Sequence, residues 1–485
     1  MKIELMKDSQ INWQRDSIAC LSLESCNFFE SLPKKEDALV PHFIQQIKNK
    51  KIKQELVIPD PENKRYLLIG DTALCNYYSE REKIKILASR VLKISQNLNL
   101  KEIAFLINHS EIKDEYIQDL MEGLILGEYS FDKYKRDEKS ETLSAILYCS
   151  ANRLGDLKRI LESQMVIGNA VNSARNLINE PANVVNPTNL HNYLLSYRNK
   201  YERLTVDEFR GQDLKKRGFT GLLHVGAGSK HVPFMGMIRY KSTNKSAKHL
   251  VLVGKGITFD TGGISIKPSK GMGEMKADMS GAAAVLGALK AIAHFKPKCH
   301  VTGIICVAEN MVDSEANRPG DIFIAANGKS ILVDNTDAEG RLVLSDGLCY
   351  AEKLNPDYII DIATLTGSCI TALGRDIAGV MGNDQNLTDQ IIKSGEETGE
   401  KFWALPLPDE YNELIKAPHA DINNVGDGTA GTITGALFLK NFIEKSKWAH
   451  LDIAGPAYRD KVWKYYAPGG IGFGIKTFIQ LAQNI

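Results

Sequence analysis

Four carboxylates, two lysines and an arginine stand out in two short stretches of this sequence, residues 255–278 and 335–342. Neither stretch contains a histidine or a cysteine. Four acids packed in one cleft would repel one another, and some would have to stay protonated. Two divalent cations would cancel these charges, and paired cations can polarise a carbonyl and acidify a bridging water during hydrolysis. The side chains are Lys255, Asp260, Lys267, Asp278, Asp337, Glu339 and Arg341.

The spacing of the second stretch indicates convergence of its charged side chains. Asp337, Glu339 and Arg341 stand at positions i, i+2 and i+4. In extended chain all three project to one side, whereas in a helix the middle residue points away. We therefore predict an extended loop here, which enters a helix at about Leu342. In the first stretch, Gly262-Gly263 lets the backbone approach an ion closely.

Three blocks of the sequence carry a resemblance to a known family. Residues 253–267, 275–284 and 335–342 closely resemble the leucyl aminopeptidase family of two-metal exopeptidases, and they follow one another in the family's order. The eight-residue string at 335–342 is highly specific. The resemblance covers most of residues 170–485 and is weak before them.

The resemblance implies a ligand set for two metals. Lys255, Asp260, Asp278 and Glu339 would hold one ion, and Asp260, Asp337 and Glu339 would hold the other. Asp337 would contribute both its side chain and its backbone carbonyl. Carboxylate ligands suit manganese, zinc, cobalt and magnesium to differing degrees. We expect the bound metal to be manganese or zinc, and cobalt and magnesium are the alternatives.

The resemblance also implies a catalytic pair, Lys267 and Arg341. Lys267 can polarise the scissile carbonyl and stabilise the oxyanion that develops. Arg341 presents a planar fork that suits a bicarbonate or carbonate anion. In this family that anion is thought to serve as the general base. Such a base would explain a hydrolase site without a histidine.

The expected substrate is a peptide with a free N-terminus, because a neutral α-amine can coordinate a metal. The resemblance implies an apolar pocket for the first side chain, and for each of its residues packing in the core is the ordinary alternative. Departures from the family pattern at 454–457 leave the side-chain preference open, although a small residue at 457 leaves room for Leu or Met. The implied pocket residues are Met275, Thr364, Gly367, Ala454 and Ala457.

Ordinary structural roles compete with several of these assignments. Asp278 precedes a helical pattern and could cap that helix. Asp260-Thr-Gly could be an Asp turn, and it resembles the tripeptide of aspartic proteases, but the sequence has no second copy. Lys255 could be a solvated surface lysine, since a lysine binds metal only as the neutral amine.

Composition sets the broad class of the protein. A chain of 485 residues is too long for one ordinary core, so we predict two domains. The net charge of +1 gives no support for a nucleic-acid partner, and a basic run at 48–53 is more typical of a solvated helix face than of a phosphate contact. The first eight residues mix charges and lack a signal-peptide core. Eight cysteines without a Cys-x-x-Cys pair favour reduced, buried thiols and a cytoplasmic location.

The order of the patterns predicts an α/β protein. Short β-like runs alternate with helical segments in residues 1–150, which we assign to a smaller N-terminal α/β domain with a structural or regulatory role. Residues 151–180 form a linker helix. Residues 181–485 form the larger α/β catalytic domain, a central mixed sheet flanked by helices.

The combined prediction is a cytoplasmic, metal-dependent aminopeptidase that releases apolar, leucine-type N-terminal residues. The resemblance implies a homo-hexamer. We expect no membrane partner, because the longest apolar run, residues 281–289, is far too short to span a bilayer. One alternative is a DNA-binding regulatory protein of the same fold, which a salt-dependent DNA titration would reveal. A second is an inactive structural relative, but that requires a lost ligand, and every expected position is filled.

Overall fold

The chain forms two compact α/β units. In the computed structural model, unit 1 comprises residues 1–169 and 461–467, and unit 2 comprises residues 170–460 and 468–485. The basic run at 48–53, Cys26 and Cys75 lie outside the described residues. Those described are 1–12, 16–22, 28, 55–60, 65–71, 77–136, 143–198, 200–201 and 203–485.

Unit 1 is built on a six-stranded sheet. Its strands are β1 (Lys2–Lys7), β2 (Ile18–Ser22), β3 (Glu55–Asp60), β4 (Arg65–Asp71), β5 (Glu102–Leu106) and β6 (Ser144–Cys149). They lie in the order β1-β6-β5-β2-β4-β3, and only β3 is antiparallel to its neighbour. Helix α1 (Glu80–Asn97) lies between β4 and β5 in sequence, and α2 (Asp114–Gly127) lies between β5 and β6. The alternation predicted for this region is confirmed.

Helix α3 (Leu154–Asn179) extends from unit 1 into unit 2. It occupies the segment predicted as a linker helix, whereas the unit boundary falls within the helix. The predicted domain boundaries at residues 150 and 180 stay predictions.

Unit 2 contains the remaining elements. The strands are β7 (Leu204–Arg210), β8 (Phe234–Tyr240), β9 (His249–Asp260), β10 (His300–Asn310), β11 (Ile322–Ile324), β12 (Ser330–Leu332), β13 (Tyr358–Ala363), β14 (Ile377–Gly382), β15 (Lys401–Ala404), β16 (Ile422–Asn423), β17 (Lys447–Asp452), β18 (Tyr458–Arg459) and β19 (Gly469–Gly470). The helices are α4 (Pro187–Leu195), α5 (Gln212–Arg217), α6 (Thr220–Val225), α7 (Ser280–Phe295), α8 (Glu339–Lys353), α9 (Gly367–Leu373), α10 (Gln385–Thr398), α11 (Gly431–Lys440) and α12 (Ile475–Asn484).

An eight-stranded mixed sheet forms the centre of unit 2, in the order β15-β14-β17-β13-β9-β10-β8-β7. Its four middle strands, β17, β13, β9 and β10, are parallel to their neighbours within this group. Every residue of β13 is buried, as is usual for parallel strands covered on both faces. Val251 and Val253 of β9 pack with side chains of α8 and α11, and α7 packs against β9 and α12. The predicted two-domain fold with a helix-flanked mixed sheet is confirmed.

Two further expectations can be compared with the described residues. None of their helices is both long and apolar enough to cross a membrane. Six cysteines among these residues are buried: Cys20, Cys149, Cys299, Cys306, Cys349 and Cys369. Burial raises the pKa of the Cys299 thiol to about 11.

Candidate active site

Strand β9 brings two of the predicted ligands to the carboxyl edge of the sheet. Lys255 and Asp260 are five positions apart, so a regular strand would point them to opposite faces. The register between β9 and β10 shifts here: Ile257 pairs with Ala308, but Asp260 pairs with Asn310. The extra residue in β9 is a β-bulge, which reverses the alternation. Because of the bulge, both side chains reach one cavity.

The loop after β9 is shaped by two glycines with positive φ angles, +85° at Gly262 and +68° at Gly263. A Cβ on Gly262 would lie 2.5 Å from the carbonyl oxygen of Ser265, so no other residue fits without a shift. Asn310 at the end of β10 supports the loop, because its Nδ2 donates to Asp260 Oδ1 at 2.8 Å. These contacts fix the direction of the Asp260 carboxylate.

The second acidic stretch forms a turn followed by a helix. Asn335 Oδ1 accepts a hydrogen bond from the Asp337 backbone N–H at 2.8 Å, which closes the turn. Helix α8 then begins at Glu339, with Ala338 as its N-cap residue. The predicted extended loop up to Leu342 is therefore wrong. An acidic side chain in the first helical turn is favoured by the helix dipole, and the turn rather than an extended strand makes the acids converge.

Asp278 and Thr364 join the site from two other elements. Asp278 lies in a 3-10 helix (Met272–Met279), and the N-cap of α7 is Met279, so the Asp278 side chain does not cap this helix. Thr364 follows β13, and its hydroxyl donates to Asp278 Oδ1 at 2.7 Å. Lys255 Nζ donates to the Thr364 carbonyl at 2.9 Å. The predicted pocket residue Thr364 thus also contacts two predicted metal ligands.

All twelve predicted site residues line a single cavity of about 300 Å³. This volume is at the small end of the range for ligand pockets. The cavity opens at the carboxyl ends of the parallel strands, where open α/β sheets bind their ligands. Its lining includes Lys255, Asp260, Lys267, Met275, Asp278, Asp337, Glu339, Arg341, Thr364, Gly367, Ala454 and Ala457.

The acids in this cavity fit divalent cations. Asp260, Asp337 and Glu339 each offer an oxygen, and these oxygens lie within 4.8 Å of one another. Glu339 Oε2 and Asp278 Oδ2 are buried, and neither has a hydrogen-bond partner among the described residues. A buried carboxylate oxygen without a partner is costly, and a cation bound at these positions would remove that cost. The donor set is therefore suited to a hard cation.

The two lysines in the cavity form ion pairs with the acids. Lys255 Nζ lies 2.7 Å from Asp278 Oδ1 and 2.8 Å from Glu339 Oε1. Lys267 Nζ lies 2.8 Å from Asp260 Oδ2 and also pairs with Asp337. Burial lowers the pKa of each lysine, but the surrounding carboxylates raise it by more. The pKa of both ammonium groups is therefore above its usual value.

Burial has the opposite effect on the acids, because it raises the pKa of a carboxyl group and lowers that of an ammonium group. Burial raises the pKa of Asp278 well above its usual range, against the opposing field of Lys255. Burial also raises the pKa of Asp337 to about 6, although Lys267 opposes the rise. Neighbouring carboxylates add to both increases. The site thus carries more negative charge than it can neutralise alone, which is the condition that favours cation binding.

Arg341 is buried beside the acids on the first turn of α8. Burial lowers the pKa of its guanidinium to about 10, and Glu339 and Asp452 oppose this decrease. Its Nη1 donates to the Asn424 carbonyl at 2.7 Å. Its Nε is buried and has no hydrogen-bond partner among the described residues. This free donor matches the expected anion site.

The cavity wall contains residues that the sequence did not single out. Ile370 adds apolar surface, whereas Glu274, Arg375 and Tyr458 add polar and charged groups. The wall of the whole cavity is therefore mixed in polarity, and the apolar pocket for the first side chain stays a prediction. These residues lie on four different elements or loops, and their spacing gives no periodic signal that could have identified them.

Comparison with known proteins agrees with the architecture. The model described as "Cytosol aminopeptidase family, catalytic domain" matches residues 172–479, and the corresponding N-terminal domain model matches residues 48–138. A probable cytosol aminopeptidase of Persephonella marina is 42% identical over 404 residues, which cover 83% of this chain and 80% of that protein. One from Vibrio campbellii is 38% identical over 437 residues, with 88% and 86% covered.

The solved structure of the bottromycin maturation enzyme BotP in complex with Mn is also similar. It has a TM-score of 0.82 and 27% sequence identity, and the match covers 97% of this chain and 99% of that one. Together with the acidic cavity, these matches define a metal-dependent aminopeptidase, a hydrolase of peptides. The chain belongs to the cytosol aminopeptidase family.

Proposed function

We propose that this protein is a two-metal aminopeptidase that releases N-terminal residues, with a preference for leucine and similar apolar side chains. The observation that carries the proposal is the convergence of five candidate ligands and two candidate catalytic groups on one cavity. The unpartnered oxygens of Glu339 and Asp278 support a cation there.

The proposed ligands divide into two overlapping sets. Lys255, Asp260, Asp278 and Glu339 hold one ion, and Asp260, Asp337 and Glu339 hold the other. When bound, two such cations supply polarisation of the scissile carbonyl and an acidified water. Manganese is favoured by the Mn complex of BotP, and zinc, cobalt and magnesium are the other candidates.

Lys267 and Arg341 are the proposed catalytic pair. The carboxylates that raise the pKa of Lys267 keep its ammonium charged at neutral pH, so it can donate to an oxyanion as that charge develops. Arg341 would hold a bicarbonate or carbonate anion through its free Nε and the remaining edge of its guanidinium. With the anion held there, no histidine is needed as a base.

The proposed substrate is a peptide whose free amino group reaches the ligand cluster. Met275, Ala454 and Ala457 provide the apolar part of the pocket for the first side chain, and the small alanines leave space for Leu or Met. Arg375 and Glu274 also line the cavity, so longer polar side chains are the natural competitors in a substrate panel.

The test is hydrolysis of aminoacyl anilides and of matched peptides with a free or an acetylated N-terminus. The metal-stripped enzyme is resupplied with Mn²⁺, Zn²⁺, Co²⁺ or Mg²⁺ in separate reactions. We expect hydrolysis of the free peptide, fastest with Leu or Met first, and resistance of the acetylated one. Equal rates on both peptides would indicate an endopeptidase and overturn the proposal.

We further propose a cytoplasmic homo-hexamer. The cytosolic location is supported by the names of the relatives, and the assembly rests on the family resemblance. Light scattering coupled to size exclusion should give the mass of six chains. The DNA-binding alternative has no support in the family descriptions or in the relatives' names.

A further inference from the structure

Asn424 lies directly after β16 and contacts the turn that carries the second group of acids. Its Oδ1 accepts hydrogen bonds from the backbone N–H groups of Asp334 and Asn335, at 2.9 and 3.2 Å. Its Nδ2 donates to the Asn335 carbonyl at 2.7 Å. The amide side chain therefore holds both sides of one peptide turn, just before Asp337 and Glu339.

The backbone of Asn424 contacts the other end of the same motif. Its carbonyl accepts the hydrogen bond from Arg341 Nη1 at 2.7 Å. Its own N–H donates to the Leu332 carbonyl at 2.9 Å, which ties it to the end of β12. Asn424 thus contacts the chain before the acids and the guanidinium after them, and it is 0% exposed.

Because its amide and backbone groups are all hydrogen-bonded, the buried Asn424 restricts the positions of the turn at 334–335 and of the Arg341 guanidinium. The turn at 334–335 lies in the loop between β12 and α8, where Asn424 adds three side-chain hydrogen bonds to the local ones from Asp337 and Ala338. Removing one partner of a buried hydrogen bond costs more free energy than the bond contributes to stability, because the remaining polar group is buried and unsatisfied. The neighbouring Asn423 differs, since among the described residues its Oδ1 accepts only from the N–H of Val425, two positions further on, at 3.3 Å.

We propose that Asn424 is a positioning residue that sets the Asp337–Glu339 acids and the Arg341 guanidinium in one fixed arrangement. The inference rests on the proposed function of these groups. Asn424 is not among the residues that line the cavity. It acts through the turn at 335 and through Arg341, so its loss should weaken cation binding and slow turnover together.

The experiment titrates Mn²⁺ into metal-stripped wild type and Asn424→Ala by calorimetry, followed by kinetics at saturating Mn²⁺. Loss of a group that orients a ligand typically costs about 10–100-fold in metal affinity. We expect a loss of that size for at least one bound ion. With Mn²⁺ saturating, kcat should still be reduced at least about tenfold, because Arg341 has lost its fixed position, while KM changes little.

Two controls separate positioning from general destabilisation. Asn423→Ala removes the adjacent amide and should leave Mn²⁺ affinity unchanged. Leu348→Ala opens a cavity in α8, away from the turn, since Leu348 is fully buried in the core. It should lower the melting temperature without lowering Mn²⁺ affinity. An affinity loss as large in Leu348→Ala as in Asn424→Ala would overturn the inference.

The isosteric Asn424→Asp provides a second measurement in case the alanine variant fails to fold. It keeps the two accepted hydrogen bonds and removes the donor to Asn335, so its affinity should fall between those of Asn424→Ala and wild type. Wild-type affinity in both variants would contradict the inference. A wild-type enzyme that binds no Mn²⁺ or cleaves no free peptide would instead contradict the proposed function.

Discussion

At the scale of single residues, the absence of a side chain at position 340 decides where Lys255 can lie. A Cβ on Gly340 would be 2.5 Å from Lys255 Cε and 2.7 Å from its Nζ. The lysine is itself held between Asp278 and Glu339, so it cannot move away without breaking these contacts. Glycine is a poor helix former, and its presence in α8 is explained by this packing.

Gly340→Ala should therefore separate stability from activity. Alanine is favoured over glycine within a helix by about 0.5–1 kcal/mol, so the melting temperature should be kept or fall only slightly. Displacement of Lys255 should reduce Mn²⁺ affinity and kcat by at least about tenfold. Thermal unfolding, metal titration and kinetics on the same preparation would check this.

The matched control for this substitution is Gly273→Ala. A Cβ at that position would meet no atom of the described residues within 4 Å. Wild-type affinity is expected for the control. If Gly340→Ala also showed wild-type affinity and turnover, the packing explanation for the glycine would be wrong.

At the scale of elements, helix α8 contains an acid that the mechanism does not use. Asp346 is fully buried, and its Oδ2 accepts the Leu222 backbone N–H of α6 at 2.8 Å. Its Oδ1 has no hydrogen-bond partner among the described residues. Burial raises the pKa of Asp346 to about 8, against the lowering effect of the backbone N–H groups of Leu222 and Gly221.

The raised pKa makes stability depend on pH with a defined sign. The folded protein keeps the Asp346 proton up to a pH of about 8, whereas the unfolded chain releases it above its usual pKa of 3.8. Unfolding therefore releases a proton between these values, and stability falls as pH rises through this window. The slope from one proton is about 1.4 kcal/mol per pH unit at most.

Asp346→Asn should remove this slope. Its amide oxygen can still accept from Leu222, so the variant should gain stability relative to wild type as pH rises from about 5 to 8. Urea unfolding at several pH values measures the difference. Asp389→Asn on the exposed face of α10 is the control and should follow wild type. Parallel pH curves for Asp346→Asn and wild type would refute the assignment.

At the scale of the whole molecule, each unit has its own hydrophobic core. One core contains side chains from β2, β5, α1 and α2, and the other contains side chains from β9, β10, α8 and α11. The candidate ligands belong to unit 2 alone. A ligand that binds the native state stabilises the structure that forms its site.

Hydrogen exchange should show that Mn²⁺ stabilises unit 2 and leaves unit 1 unchanged. Added Mn²⁺ should slow exchange in β9, in the turn at 334–338 and at the start of α8, because opening these segments would release the ion. Helices α1 and α2 should exchange at the same rate with Mn²⁺ and with EDTA. Mass spectrometry of peptic peptides gives both measurements in one experiment. Unchanged exchange in β9 and α8 would argue against a site at these acids.

The sequence by itself determined the chemistry and the class of fold. The residue types and spacing at 255–278 and 335–342 identified the acid cluster, and alternation of β-like and helical runs predicted two α/β domains. Helix α3 (Leu154–Asn179) lies within the segment 151–180 that was predicted as a linker helix. Local patterns of burial and turn chemistry are sufficient for such elements.

Tertiary structure decided how the acids meet. The bulge in β9 depends on pairing with β10, and both Lys255 and Asp260 reach one cavity. The start of α8 at Glu339 depends on packing and on a turn held from Asn424, which is 89 residues beyond Asn335. Contacts over such a distance in sequence leave no periodic trace in the chain. Residue types and the family resemblance therefore named the candidate groups, and only long-range packing fixed their arrangement.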